Sequence, residues 1–165
     1  PREESLWSQF QHRGRAGPAA VRGERLEPLP SAVMGWKAWR ELHPQTRVLA
    51  PDRSLMRRYR QEAYSTYFAD RRLMFPVAPL PASPDTYKQP CAGVLVGGEW
   101  HVWQTSDLLA RATVEFKVDE TAVRVNQWID PVAVQFEDSA GRPLPSATGF
   151  RFAWHSMYGE AIFAP

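Results

Sequence analysis

The side chains that copper or zinc prefers as ligands are few and widely spaced in this chain: Cys91, His101, His155 and Met157. Between two apolar runs, Gly97-Gly98 predicts a two-residue hairpin turn, which pairs Val94 with His101. Cys91 is three residues from Val94, so its side chain and that of His101 point to opposite faces of the sheet. His155 and Met157 are expected to share a strand face, but they supply only two ligands, and tetrahedral zinc requires four. We therefore expect no complete metal site from this chain.

Sequence motifs of catalysis and of nucleotide binding are missing. There is no Gly-x-Ser-x-Gly nucleophile motif, and Cys91 has no cationic neighbour in sequence to lower its pKa, which predicts an inert, packed thiol. The glycine-rich loops that cradle phosphates are also absent. Pairs of acidic residues occur only as sequence neighbours, at positions 3–4, 119–120 and 137–138. The side chains of such neighbours point to opposite faces of a strand or lie in turns, so they do not form a catalytic pair of carboxylates. The sequence predicts a non-enzymatic protein without a cofactor.

One stretch has the composition of a binding surface, because arginines and tyrosines alternate along it. Its members are Arg53, Arg57, Arg58, Tyr59, Arg60, Tyr64 and Tyr67. Tyrosine and arginine are enriched in the hot spots of protein interfaces, although tyrosines are equally explained as core. A formal net charge of +2 and the lack of a recognition motif argue against nucleic acid. We expect other protein subunits as partners, or the chain's own acidic half as the match for these arginines.

Charge is distributed unevenly along the chain. Residues 1–72 hold 14 basic against 8 acidic residues, a net charge of +6, and residues 73–165 hold 6 against 10, a net charge of −4. Seventeen of the 20 basic residues are arginine, which favours bidentate contacts with carboxylates, although a GC-rich genome produces the same bias. The longest apolar stretch, Leu73–Pro84, contains four prolines and is shorter than the roughly 20 residues that cross a bilayer. We expect no transmembrane span in this chain.

The elements that position these residues are predicted to be mainly β, in an α+β arrangement. Fifteen prolines and ten glycines interrupt long helices and favour short strands. Residues 1–84 are expected to be an irregular Arg/Pro-rich segment with a short strand within Ser5–Phe10 and a short helix over Trp36–Leu42. Residues 85–165 are expected to form an antiparallel sheet or barrel, so that residues 1–165 make one domain with one or two short helices. The predicted strands of this part are Cys91–Val96, Glu99–Trp103, Thr113–Val118, Thr121–Trp128, Val132–Phe136 and Thr148–Met157.

Four sequence segments resemble a prokaryotic protein family of unknown function, DUF3179. They are Ser5-Leu6-Trp7-Ser8-Gln9, the run from Gly23 to Pro30, the run from Trp36 to Leu49, and Phe150-Arg151-Phe152-Ala153-Trp154. Members of that family look like exported or membrane-anchored proteins of about twice this length, and the chain resembles their C-terminal portion. Residues 58–67 keep the family's tyrosine spacing without its glycine and proline, and the family's upstream cysteine-containing stretch is missing.

The resemblance implies a periplasmic location, or one on the extracellular face of a membrane, and it brings no activity with it. The chain begins at Pro1 without a methionine or a signal peptide, which is consistent with a removed targeting segment or with a piece of a longer protein. We expect an accessory or structural subunit of a larger, membrane-associated protein complex. Two alternatives stay open: a redox or hydrolytic metalloprotein whose site is completed from outside this chain, and a carbohydrate-binding module that stacks sugars on Trp100, Trp103 or Trp128.

Overall fold

The chain consists of short helices and strands in the computed structural model, which describes residues 4–50, 52–59, 64–110, 114–118, 120–129 and 132–164. The helices are α1 (Pro18–Val21), α2 (Trp36–Leu42), α3 (Met56–Tyr59), α4 (Ser65–Ala69), α5 (Thr105–Leu109) and α6 (Arg151–Tyr158). The strands are β1 (Leu6–Ser8), β2 (Arg13–Ala16), β3 (Pro90–Val96), β4 (Glu99–Gln104), β5 (Val114–Val118), β6 (Thr121–Ile129), β7 (Val132–Asp138) and β8 (Ser146–Phe150). Short helices are thus more numerous than the one or two predicted, while α2 has its predicted bounds.

The strands form three antiparallel sheets, in the orders β1-β2, β4-β3-β8 and β5-β6-β7. The predicted hairpin is confirmed, because Val94 pairs with His101 and Cys91 with Gln104. Both turn glycines have positive φ, 60° and 88°, as a type I′ turn requires. Of the two architectures expected, the chain has sheets: the described strands do not close into a barrel, since β7 and β8 do not pair.

The β4-β3-β8 sheet is buried on both faces, and this explains why β3 is apolar at nearly every position. Ala92, Val94 and Val96 lie on the face that packs against the β5-β6-β7 sheet, where the core includes Val123 and Phe136. The opposite face carries Cys91, Trp100 and Val102, which pack against Phe10 and Trp154. A strand covered on both sides loses the apolar and polar alternation of a half-exposed one.

Trp154, in α6, is fully buried and lies over two glycines of neighbouring strands. A Cβ atom at Gly93 would come within 3.0 Å of the Trp154 ring, and one at Gly149 would come within 3.4 Å of its Nε1 and 2.6 Å of the Phe10 ring. The Trp154 ring centroid is 4.3 Å from that of Phe10 and 5.0 Å from that of Trp100. The indole therefore replaces the side chains that β3 and β8 lack on this face.

The prediction of a strand over Thr148–Met157 is wrong after Phe150, where the chain turns into α6. Alternating apolar residues from Phe150 to Trp154 imitate a strand, but tertiary contacts favour the helix. The first backbone N–H groups of a helix lack partners within it, and here Arg151 donates to Gln89 O at 2.9 Å and Phe152 to Tyr87 O at 3.0 Å. At the other end, Gly159 donates to His155 O and ends the helix.

Apart from Phe10 and Ala19, the described residues of the N-terminal half contribute little to the core. The predicted strand within Ser5–Phe10 is β1, which pairs with β2. Between residues 26 and 84, the buried side chains in the described part are Ala38 and Pro81. Ser31 ties this segment to the sheet through a hydrogen bond from its Oγ to Ser146 O at 2.6 Å. The predicted irregular segment is therefore an attachment to the sheets, interrupted by short helices.

We expect Gly93→Ala to destabilise the fold by about 1–3 kcal/mol, because its Cβ would overlap the Trp154 ring and Val102 Cγ2, both 3.0 Å away. Urea denaturation measures this loss as a lower midpoint at an unchanged slope. In a Trp154→Phe background, which removes the crowding ring atoms, the same substitution should cost less. An equal cost in both backgrounds would show that Trp154 is not the source of the strain.

Candidate protein-binding surface

The arginines of the predicted surface begin at a short 3-10 turn, Arg53–Leu55, that leads into α3. Asp52 begins this turn, since its Oδ1 accepts hydrogen bonds from Ser54 Oγ at 2.7 Å and Ser54 N at 2.8 Å. These bonds lower the pKa of the Asp52 carboxyl. Arg53, Arg57 and Arg58 are exposed, and no described residue forms an ion pair with them. Three guanidinium groups are thus available to an external partner.

Two members of the predicted surface fall outside what the structure describes. Arg60 is not among the described residues, and of Tyr59 the structure describes the backbone but not the side chain. The two tyrosines that follow lie on or next to α4, so the predicted stretch is distributed over two short helices.

The tyrosines of this stretch differ in their surroundings. Tyr64 is 52% exposed, whereas Tyr67 is partly buried beneath Lys88, whose Nζ lies 3.6 Å from the ring centroid. Lys88 Nζ also donates to the backbone carbonyls of Tyr67 and Asp70. The neighbouring Phe68 meets Phe150 of β8 edge-on at 6.0 Å. Tyr67 therefore helps to fasten α4 to the sheet, and Tyr64 stays available for a partner.

Large apolar side chains are exposed throughout residues 26–75, which we call the N-terminal strap. They are Leu26, Leu29, Val33, Trp36, Leu42, Val48, Leu49, Tyr64, Phe68, Met74 and Phe75. Single exposed apolar residues are ordinary on a protein surface, but a set this large in one segment is typical of an interaction site. Sequence reasoning recognised the arginines and tyrosines and missed these residues. A sequence signal for them was available, because the prolines of this segment prevent a long helix on which these apolar residues could share one buried face.

The strap is also the most basic part of the chain. Residues 26–75 hold nine basic and five acidic residues, a net charge of +4. Arg71 pairs with Asp85 at 2.7 Å, but both side chains are well exposed, so this pair contributes little. Exposed apolar groups beside guanidinium groups that pair with no described residue match a partner whose surface is both apolar and acidic.

The possible metal ligands are not brought together. In the described part of the chain, no group of three or more His, Cys, Asp or Glu side chains could hold a metal ion. The prediction that His155 and Met157 share a face is wrong, because both lie in α6, where residues two apart point in nearly opposite directions. His155 Nε2 lies 3.5 Å from Glu160 Oε2, while Met157 is 43% exposed. The hairpin register confirms that Cys91 and His101 face opposite sides.

The expectation of tryptophan platforms for sugars is wrong for two of the three residues proposed. Trp100 and Trp103 are 8% and 9% exposed and belong to the two core clusters. Trp100 Nε1 donates to Phe10 O at 2.9 Å, so its polar edge is also used within the fold. The side chain of Trp128 lies outside the described part.

Cys91 is expected to be unreactive in the native protein. Burial raises the pKa of its thiol to about 12, against the opposing influence of Arg151, so near neutral pH the thiolate fraction is roughly a thousandfold below that of an ordinary cysteine. Titration with a disulfide reagent at pH 8 should modify the unfolded chain rapidly and the native protein slowly. Rapid, stoichiometric reaction of the native protein would contradict this prediction.

The described residues contain no helix with the length and apolar character that a bilayer crossing needs. No curated protein and no solved structure matches the chain. Residues 2–141 match the family described as "Protein of unknown function (DUF3179)". This match covers most of the 165 residues and ends before β8 and α6. The chain therefore belongs to the DUF3179 family.

Proposed function

We propose that this protein is a non-enzymatic accessory subunit, located outside the cytoplasm, that binds a larger membrane-associated protein complex through its N-terminal strap. The observation that carries the proposal concerns the part of residues 26–75 that the structure describes, where eleven exposed large apolar residues coincide with arginines that form no ion pair with a described residue. The partner surface that fits them is apolar with acidic groups around it.

The apolar side chains supply the driving force for association. Burying a large aliphatic or aromatic side chain contributes about 1.5–3 kcal/mol relative to leaving it exposed. Leu49 and Phe75 are 93% and 73% exposed, so nearly all of their surface is available for burial against a partner. Only part of that sum appears as affinity, because association also costs translational freedom and the ordering of side chains.

The arginines supply orientation and selectivity. Arg53 and the adjacent Arg57 and Arg58 project from one short helical stretch. A guanidinium group binds a carboxylate through two parallel hydrogen bonds, which fixes the orientation of the partner. The basic strap also increases the rate of encounter with an acidic surface.

Two further observations favour a binding role over an enzymatic one. The thiol of Cys91 is buried with a pKa of about 12, and the histidines that were candidate ligands lie on different elements. The location outside the cytoplasm is supported by the resemblance to exported or membrane-anchored family members. The single experiment that tests the role is the isolation of the tagged chain from membranes of its source cells, followed by size measurement.

Reversing two charges, Arg57→Glu with Arg58→Glu, should release the protein from its native assembly. Loss of desolvated charge pairs, with repulsion from the partner's carboxylates, should weaken association by about 2–5 kcal/mol. Size-exclusion chromatography of the membrane extract measures the fraction in the large complex at increasing salt.

The matched control is Lys117→Glu with Arg124→Glu, which makes the same charge change on β5 and β6. Both control side chains are exposed, at 61% and 48%, and each pairs locally with an acidic residue. Equal retention of the two double variants in the complex would contradict the proposed surface.

The apolar contribution is tested by Leu49→Ser combined with Phe75→Ser. Both residues are exposed, so the free energy of unfolding of the isolated protein should change by less than about 0.5 kcal/mol. Association should weaken by at least about 2 kcal/mol, because two apolar anchors are lost. Pull-down with the tagged chain measures association, and the urea midpoint of the same variant measures stability, so a loss of binding can be told from a loss of folding. Unchanged association would exclude these side chains from the interface.

A further inference from the structure

Between β7 and β8 lies a cavity of about 330 Å³ with mostly apolar walls. Its lining includes Val33 of the strap, Cys91 of β3, Ala133 and Val134 of β7, and Thr148 and Phe150 of β8. The two strands are connected through residues 139–145, and Leu144 N donates to Phe136 O at 2.8 Å near that connection. Among the described residues, no ladder joins β7 to β8 beyond this point. The cavity therefore lies between two strand edges.

The hydrogen-bond phase of β8 shows which of its backbone groups face this gap. Leu95 N donates to Pro145 O at 2.9 Å, so Pro145 faces β3, and the groups of alternate residues face the same way. Ser146 and Thr148 consequently direct their N–H and C=O groups away from β3. An independent contact agrees, because Ser146 O accepts the Ser31 hydroxyl from that outer side at 2.6 Å.

The same argument applies to β7. Leu144 N donates to Phe136 O at 2.8 Å and Asp138 N donates to Arg142 O at 2.9 Å, so these residues face away from β6. Val134, two residues before Phe136, directs its backbone groups to the same side, which is the side of the cavity. Val134 is only 4% exposed.

These outward groups of Val134 and Thr148 receive no hydrogen bond from any residue that the structure describes. Unpaired backbone groups at a strand edge form a template for a further strand. A small apolar molecule would fill the cavity and leave these groups unpaired, so it fits the site less well than a peptide does.

We propose that an extended segment of the partner protein inserts between β7 and β8, pairing its backbone with Thr148 on one side and Val134 on the other. An aliphatic side chain of that segment fills the apolar cavity beneath Val33. This mode of recognition takes its affinity from main-chain hydrogen bonds and its specificity from the pocket. It rests on the proposed function, for which it names a second contact distinct from the arginines of the strap.

The experiment uses a phage-displayed library of random decapeptides, selected on the folded protein and counter-selected on Ala133→Phe, which fills the cavity. We expect the enriched peptides to share an aliphatic residue at one position. Their synthetic forms should bind Thr148→Pro about tenfold more weakly or worse, because this change removes the outward N–H, and an edge strand tolerates a proline at such a position. Thr148→Ala keeps that N–H and should bind within about twofold of the original protein.

Amide hydrogen exchange supplies a readout within one strand. With the enriched peptide bound, exchange at the Thr148 amide should slow by about tenfold or more, while the Gly149 amide, already directed at β3, should not change. Thr148→Pro must unfold at a temperature close to that of Thr148→Ala, so that lost binding is not lost folding.

Three results would overturn the proposal: no enriched peptide that distinguishes Thr148→Pro from Thr148→Ala, a Thr148 amide that stays fast in the complex, or a dimer of the free chain that Thr148→Pro dissociates. The last would assign the gap to a second copy. Because Arg57→Glu with Arg58→Glu leaves the gap intact, failure of the strap surface and failure of strand insertion are separately visible.

Discussion

The packing of one indole against two strands that lack side chains is the constraint on which the rest of the structure depends. Trp154 fits over Gly93 and Gly149 because neither residue carries a Cβ, and its ring is held from the sides by Phe10 and Trp100. To reach this position the chain must turn from β8 directly into α6, and it must bring Phe10 back from the N-terminus. Burying this face leaves the other face of β3 free to pack against the second sheet.

Since the two faces of the central sheet are covered by the sheet β5-β6-β7 and by α6 with Phe10, the strap is not needed to complete the core. Its described residues are fastened by Leu26 N on His12 O, by the bridge between Pro30 and Pro145 and by Ser31 on Ser146. Further along, Lys88 binds the carbonyls of Tyr67 and Asp70, Arg71 pairs with Asp85, and Phe68 packs on Phe150. A segment that buries so little of its own apolar surface gains little from folding alone. The core is complete without the strap, and the strap leaves its apolar side chains exposed. This is the physical reason for assigning binding to residues 26–75.

The sequence predicted what depends on local chemistry and missed what depends on distant contacts. The Gly97-Gly98 turn sets the hairpin register, and Pro44 follows the end of α2 closely, so both elements were predicted. α6 was predicted as a strand because its alternating aromatic residues fit a sheet, while the carbonyls of Tyr87 and Gln89 that receive its first N–H groups are more than 60 positions away in sequence. The arginines of the candidate site were found from composition, and proline spacing was the available but unused signal for its exposed apolar residues. The gap beside β7 becomes visible only when the sheets are assembled.

The absence of closure between β7 and β8 follows from the same core that holds the fold together. β8 must lie beside β3 so that Gly149 can meet Trp154, whereas β7 must lie beside β6 so that Phe136 and Val134 fill the space between the sheets. The connection through Leu144 can satisfy both demands only near its own end, where it donates to Phe136 O. Farther along, the described parts of the two strands do not pair, and Val134 and Thr148 both line the apolar cavity there. Packing that stabilises the core therefore also leaves a strand position unfilled.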